Sequence, residues 1–473
     1  MTKVIGKARK GIGQKSDAWD SSTVLQYSIG PHVCGKGRMK RLWHIFATDK
    51  YLVLLGIEGA GIGILVGLVD VLFGRVLNIV SALRIAHPFW FIPFLPLAGV
   101  GIIYLNRFLG GNNHKGMTGV FDIGLEKEAE LPLTIIPFVI VATWMTNLCG
   151  GSSGREGVAV QIGAILAYHI GQKIKGVENK RIFLVAGIAA GFGGLLGTPI
   201  AATCFALEVI VAGQMKYQAL FPALIGSISA MEISHLFGLS KFSYTLKYPM
   251  TFSIRFIGQL ILLGVIFGLV GGGFAWCMKQ ARKRTAQLIP NPLYRIVIGG
   301  MALSVVFMLL HAGRYSGMGL DLISDALGEK TIYPYDWILK FVLTILTLAV
   351  GFQGGELVPL FSIGASLGAL LAVWMGLPVD LVAALGYAAV FGSATNTLFA
   401  PVLLGGEIFG YQYTPAFFIV CSVAYIFNMN QTIYGKQKLL EELHPAETAP
   451  LQTPAAGAET GTEKETPPVA GSV

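Results

Sequence analysis

The chain has 473 residues, 53% of them hydrophobic and only 13% charged, with a mean hydropathy of +0.64. Soluble domains carry roughly 25% charged residues, so this composition excludes a soluble globular fold and reads as an all-α polytopic membrane protein. The formal charge of +9 does not indicate nucleic acid, because the basic residues sit in the N-terminal arm and short connections, as juxtamembrane loops require.

Residues 1–50 carry Lys3, Lys7, Arg9, Lys10, Lys15, Lys36, Arg38, Lys40 and Arg41 and lack a continuous apolar run, so they form a basic arm and not a signal peptide. The excess of Lys and Arg ahead of the first span predicts a cytoplasmic N-terminus. GIGQKS at 11–16 lacks the ending of a phosphate loop and a preceding strand.

From Tyr51 to about Met429 apolar segments follow one another. Runs near 51–82, 88–109, 132–150, 256–280, 293–311 and 335–352 are long enough to span, since about 20 residues cross a hydrocarbon core of roughly 30 Å. Shorter runs are interrupted by Gly, Pro or a lone Glu, and such broken spans are tolerated only where the backbone is buried in protein or lines a cavity. Gly59, Gly63 and Gly67, and again Gly264, Gly268 and Gly272, recur every four residues and mark close helix contacts. Glu58 reads as an interfacial or paired residue. After residue 436 a Pro-, Ala-, Gly- and Thr-rich end reads as a disordered tail.

The most informative stretch is GSSGREGVAVQIG at 151–163, where Arg155 and Glu156 sit between glycines inside a long apolar region. Gly150, Gly151, Gly154 and Gly157 free the backbone, and the apolar run from Val158 predicts a helix starting at about Glu156. A helix N-terminus with exposed N–H groups stabilises an anion, or the carboxylate of Glu156 itself. A solvated ion pair in an extramembrane loop is the alternative.

The membrane region repeats once at a spacing of about 200 residues. Gly116-Met117-Thr118-Gly119 is echoed by Gly317-Met318-Gly319-Leu320, Gly154-Arg155-Glu156 by Gly354-Gly355-Glu356, and AAGFGG (189–194) running to Glu208 by AAVFGS (388–393) running to Glu407. Three echoes in register indicate duplication, with 51–250 and 251–435 as the two membrane repeats, and a substrate site at their interface. The residues leave parallel and inverted repeats open.

Over about 51–435 the chain resembles the CLC family of anion channels and proton-coupled anion antiporters. GREGVAVQIG (154–163) is similar to the family's GREGP motif, whose glutamate is gate and proton carrier, and this implies that role for Glu156. GGELVP (354–359) stands where the family has GxFxP, and Tyr434 where a tyrosine contacts the central anion. The resemblance implies two inverted-topology repeats with broken, tilted helices, a homodimer with one pore per subunit, an anion site formed by Met117, Gly154, Arg155, Gly355, Leu357 and Tyr434, and no cofactor or metal. It also implies a multi-pass protein of the bacterial inner membrane, both termini cytoplasmic, the tail 436–473 included.

Four departures refine this reading. Met117 falls at the serine of the chloride pattern, Leu357 replaces the phenylalanine with Glu356 before it, Val209 follows Glu208 where chloride antiporters have a second glutamate, and Val158 replaces proline. Together they resemble the fluoride-exporting branch, which exchanges fluoride for protons. A small, strongly hydrated anion needs donors in place of water: helix amides, a phenol such as Tyr434, or a protonated carboxyl. Glu156 and Glu356, at equivalent places in the two halves, are expected to meet near the pseudo-twofold axis and share protons, since burial and a like charge disfavour ionisation. Glu356 as a capping carboxylate and Met117 as a packing residue are the structural alternatives. Glu208 and Glu407 are expected at water or at a helix end. A chloride/proton antiporter and a passive anion channel remain the competing functions.

Overall fold

The computed structural model describes residues 36–111, 116–125, 127, 131–174, 180–250, 252–329 and 331–440; residues 1–35 of the expected arm and 441–473 of the expected tail lie outside them. The packing below belongs to the unit Val53–Val473.

The first half contains α1 (Lys36–Ala86), α2 (Pro88–Phe91), α3 (Leu95–Phe108), α4 (Gly116–Gly124), α5 (Ile135–Leu148), α6 (Glu156–Lys173), α7 (Lys180–Leu196), α8 (Pro199–Glu208) and α9 (Leu220–Leu236). The second contains α10 (Ile254–Leu288), α11 (Pro292–Leu309), α12 (Leu320–Ser324), α13 (Asp336–Val350), α14 (Leu357–Met375), α15 (Val379–Thr395), α16 (Phe399–Phe409) and α17 (Thr414–Ile426). Strands β1 (Val211–Ala212) and β2 (Lys438–Leu439) pair in parallel and hold the segment after α17 against the end of α8.

Among the described residues six helical stretches are long and apolar enough to cross a membrane: Val53–Ala86, Pro88–Phe108, Tyr217–Leu236, Ile254–Leu288, Pro292–Leu309 and Leu357–Met375. Four match the expected spans. The runs 132–150 and 335–352 do not: α5 has 14 residues and α13 has 15, because the chain turns at Gly150 (φ +86°) and Gly351 (φ +119°). Tyr217–Leu236 and Leu357–Met375 were not among the expected runs. In α14 the glycines do not break the helix; they admit a neighbour.

That neighbour is α15, and α6 and α7 make the same contact in the first half. A Cβ on Gly163 of α6 would strike the Gly187 carbonyl of α7, and a Cβ on Gly364 of α14 would strike the Gly386 carbonyl of α15. The four-residue triplets behave the same way. Gly59, Gly63 and Gly67 of α1 face backbone of Pro222, Gly226 and Ala230 on α9, while Gly264, Gly268 and Gly272 of α10 face Val420, Ala424 and Asn428 at and beyond α17. Without a hydrophobic driving force in lipid, such backbone-close packing holds helices together.

The two halves also complete each other's helices. Glu208, at the end of α8, accepts the N–H groups of Leu398, Phe399 and Ala400 at 3.2, 3.2 and 2.7 Å, capping α16. Glu407 of α16 accepts those of Ile200 and Ala201 at 3.0 and 2.8 Å, capping α8. Both glutamates therefore meet a helix end, and it belongs to the other repeat. Carboxylates at helix N-termini satisfy orphan donors and the dipole together. Glu58, expected to be interfacial or paired, is half-buried, and its Oε2 has no hydrogen-bond partner among the described residues.

Replacing Glu208 by Ala leaves three N–H groups of α16 uncapped, and we expect a loss of about 0.5–2 kcal/mol or more in unfolding free energy. Denaturant unfolding of the wild type and of Glu208→Ala in the same detergent measures it; equal midpoints would remove the capping role.

Candidate functional site

Beside the heads of α6 and α14 the halves form an antiparallel backbone pair. Gly154 N–H donates to the Gly355 carbonyl at 2.6 Å, and Gly355 N–H returns the bond to Gly154 at 2.8 Å. Side chains at these positions would collide, since a Cβ on Gly355 would lie 2.9 Å from Gly157 N. From this bridge the chains leave in opposite directions into α6 and α14. Ser152 Oγ and Thr344 Oγ1, 2.8 Å apart, tie the approach to the bridge.

The bridge fixes the repeat register and corrects the sequence reading by one residue. Because Gly154 pairs with Gly355, the counterpart of Glu156 is Leu357, each the first residue of its helix. Glu356 is the N-cap residue of α14 and corresponds to Arg155, the N-cap of α6. The two carboxylates have separate hydrogen-bond partners. Glu156, 1% exposed, accepts from Arg155 Nε at 3.3 Å and from Arg155 N–H at 3.3 Å. Glu356 Oε1 accepts from Arg282 Nη2 of α10 at 2.7 Å. Its side chain makes no cap hydrogen bond, so the capping alternative for Glu356 has no bond to rest on.

A cavity of about 340 Å³ opens beside the bridge. Met117 and Thr118 from the first turn of α4, Gly157, Val158 and Gln161 from α6, and Glu356 at the head of α14 line it, so three helix N-termini converge there. Their partial positive charges favour an anion. Two further cations sit at the wall: Arg282 on Glu356, and Lys436, whose Nζ donates to both oxygens of Asp122 at 2.8 and 2.7 Å.

Two donors in this wall are unspent. Tyr434, held by Ile433 N–H to the Ala394 carbonyl and by packing of its ring on Phe121 at 5.0 Å, is buried with no partner for its hydroxyl among the described residues. Gln161 Nε2 is buried and equally unpaired. Buried donors are costly to leave unmade, and a small anion satisfies them.

Of the residues singled out by sequence, Met117, Gly355, Glu356 and Tyr434 line the cavity. Gly154, Arg155 and Leu357 do not: Gly154 is spent in the bridge, Leu357 is wholly buried, and Arg155 Nη1 donates to Asn78 Oδ1 at 3.0 Å. Glu156 faces Arg155 and the core, while its neighbour Gly157 faces the cavity. Sequence reading missed Gln161, Arg282, Lys436 and Asp70. Asp70 is a fully buried carboxylate of α1 with neither oxygen hydrogen-bonded among the described residues; the signal for it was an acid in mid-span. Val209, at the missing glutamate, is buried, and its carbonyl accepts from Gln437 Nε2 at 2.8 Å.

A family model described as voltage gated chloride channel matches residues 98–429. A protein named chloride/fluoride channel protein from Pseudomonas syringae pv. tomato is 32% identical over 402 residues, 84% of this chain and 88% of its own. The voltage-gated ClC-type chloride channel ClcB of Citrobacter koseri is 26% identical over 318 residues, 65% of this chain and 73% of its own. Among solved structures, the crystal structure of a CLC-type fluoride/proton antiporter matches with a TM-score of 0.80 at 49% identity, over 82% of this chain and 98% of that one. A slow cyanobacterial Cl−/H+ antiporter matches with a TM-score of 0.65 at 18% identity, over 79% and 94%, and shows the shared fold.

Removing the free hydroxyl with Tyr434→Phe keeps the ring on Phe121 and deletes one donor. A hydrogen bond to a charged group contributes about 1.5–3 kcal/mol, so fluoride binding is expected to weaken roughly tenfold or more by titration calorimetry. Unchanged affinity would take Tyr434 out of the site.

Proposed function

The chain belongs to the voltage-gated chloride channel (CLC) family, and on that footing we propose that it is a proton-coupled fluoride antiporter that exports fluoride in exchange for protons. The observation that carries this reading is the cavity wall: Met117 where the chloride pattern has serine, unpaired donors on Tyr434 and Gln161, and a carboxylate, Glu356, facing the anion space. Fluoride is small and a strong acceptor, so it gains more than chloride from donors that replace its water. The similarity to a CLC-type fluoride/proton antiporter at 49% identity supports the same ion pair.

In this mechanism Glu156 carries the proton. Its carboxylate sits at the head of α6 against Arg155, one residue from the cavity-lining Gly157, and a change of rotamer moves it between the two environments. Glu356 works on the other side of the bridge. When protonated it gives up the ion pair with Arg282 and turns an O–H toward fluoride; when ionised it returns to Arg282 and leaves the cavity to the anion. The glycine bridge keeps both carboxyls on opposed helix heads, so protons and anions use one crossing. Gly154, Arg155 and Leu357 act by holding that geometry, not by touching the anion. The protein works as a homodimer in the bacterial inner membrane, with membrane repeats 51–250 and 251–435. The basic arm 1–50 and the tail 436–473 are on the cytoplasmic face, which the Lys and Arg excess of the arm supports.

In proteoliposomes with fluoride and chloride electrodes, fluoride efflux is expected to exceed chloride efflux greatly and to pump protons inward. Equal rates for both ions favour a chloride antiporter, and fluoride flux without proton movement favours a passive channel.

Glu156→Gln, a neutral mimic that neither takes nor returns a proton, is expected to stop turnover while the protein remains folded. Uphill proton movement driven by a fluoride gradient in this variant would falsify its carrier role.

Glu356→Gln keeps a donor toward fluoride but cannot ionise and return to the Arg282 ion pair, so it is expected to cut coupled fluoride flux by roughly 10- to 100-fold, the weight of one charged partner, with little change in thermal midpoint. Normal flux in a less stable protein would instead leave Glu356 a structural partner of Arg282.

A further inference from the structure

A second cavity, of about 380 Å³, lies between α3, α5, α11 and the end of α13. Its walls are mostly apolar, with Ile102, Ile103, Phe138 and Val350, and Asn106, Arg295 and Gln353 are its polar lining residues. Arg295 Nε, a donor, and Asn106 Oδ1, an acceptor, are both buried and both without a hydrogen-bond partner among the described residues. An apolar pocket of this size with one unmet donor and one unmet acceptor has the form of a site for an amphipathic molecule.

Its position says which kind. Asn106 is near the end of α3 and Arg295 near the start of α11, so the polar end of the cavity lies at one end of two spans. Only 28% of the apolar window of each of these spans is buried, which leaves their outer faces to lipid. Tyr104 and Tyr294, both exposed, stand at the same end, and Arg107 lies over the Tyr104 ring at 5.7 Å. Aromatic and basic residues grouped in this way mark the headgroup level of a bilayer.

We propose that this cavity holds one anionic phospholipid, phosphatidylglycerol, by its headgroup and the first part of an acyl chain. The phosphodiester accepts from Arg295 Nε, a glycerol hydroxyl donates to Asn106 Oδ1, and the chain enters between Ile103 and Phe138. A headgroup without a free donor leaves Asn106 unmet, and one with no net negative charge gains less from Arg295. The site adjoins the anion cavity, because Gln353 lines both. Occupancy therefore bears on the segment 351–355, which carries Gly355 and leads into Glu356.

The test needs no transport. Delipidated protein in detergent is titrated with micelles containing phosphatidylglycerol or phosphatidylcholine, with the thermal midpoint and the lipid count in native mass spectrometry as readouts. Phosphatidylglycerol is expected to raise the midpoint and remain bound at one per subunit, with phosphatidylcholine much weaker. Arg295→Gln should weaken the apparent affinity roughly tenfold, as loss of one charge-assisted hydrogen bond does, while Arg107→Gln, on the exposed neighbour, should change it little. If Arg295→Gln fails to fold, Ile103→Trp, which fills the apolar part, should abolish the retained lipid. Wild-type retention in Arg295→Gln and Ile103→Trp, equal response to both lipids, or as large a loss in Arg107→Gln overturns the proposal in favour of general attraction to anionic surfaces.

Discussion

Two hydrogen bonds between Gly154 and Gly355 hold the centre of this protein. They place the heads of α6 and α14, and with them the one-residue offset between Glu156 and Glu356, beside the anion cavity. The bridge requires glycine on both sides, because a side chain on either strand would meet the other strand's backbone or proline. A backbone pair also satisfies peptide groups that no helix pairs. Part of the glycine richness of the chain thus serves the touching of two irregular segments, as other glycines serve helix contacts.

Symmetry runs through the packing but stops at the site. The glycine-lined contacts of α1 with α9 and of α10 with α17 are the same contact made twice, as are those of α6 with α7 and of α14 with α15. At the helix heads the halves diverge. Arg155 is the counterpart of Glu356, a cation opposite an anion, and Glu156 is the counterpart of a buried leucine. Duplication supplied a scaffold with two converging helix N-termini, and the proposed exchange depends on the residues that broke the equivalence.

What was legible in the sequence follows from the range of each interaction. The glycine triplets could be read as contacts because their period of four matches a helix face, whatever the partner is. The start of α6 was legible because glycine freedom and an apolar run meet at one residue. The register of the second repeat was not: the two motifs align equally well at a spacing of 200 or 201, and only the pairing of Gly154 with Gly355 decides. The meeting of two carboxyls was an inference from the wrong register. Arg282 and Lys436 were invisible because the cavity gathers residues from 116 to 436, and no local pattern marks a residue whose partner is set by tertiary packing. The place of Tyr434 came from family resemblance; its free hydroxyl came from the structure.

The reciprocal caps carry a consequence for how the protein is made. While the ribosome has delivered only the first repeat, α8 ends in a glutamate with no helix to receive it, and its own first N–H groups lack Glu407. About 200 further residues must be synthesised before either is satisfied, on the order of 10–40 s at typical elongation rates. Through that interval the nascent half holds a carboxyl and backbone donors whose partners have not yet been made. Any delay in translating α10 to α15 lengthens that interval.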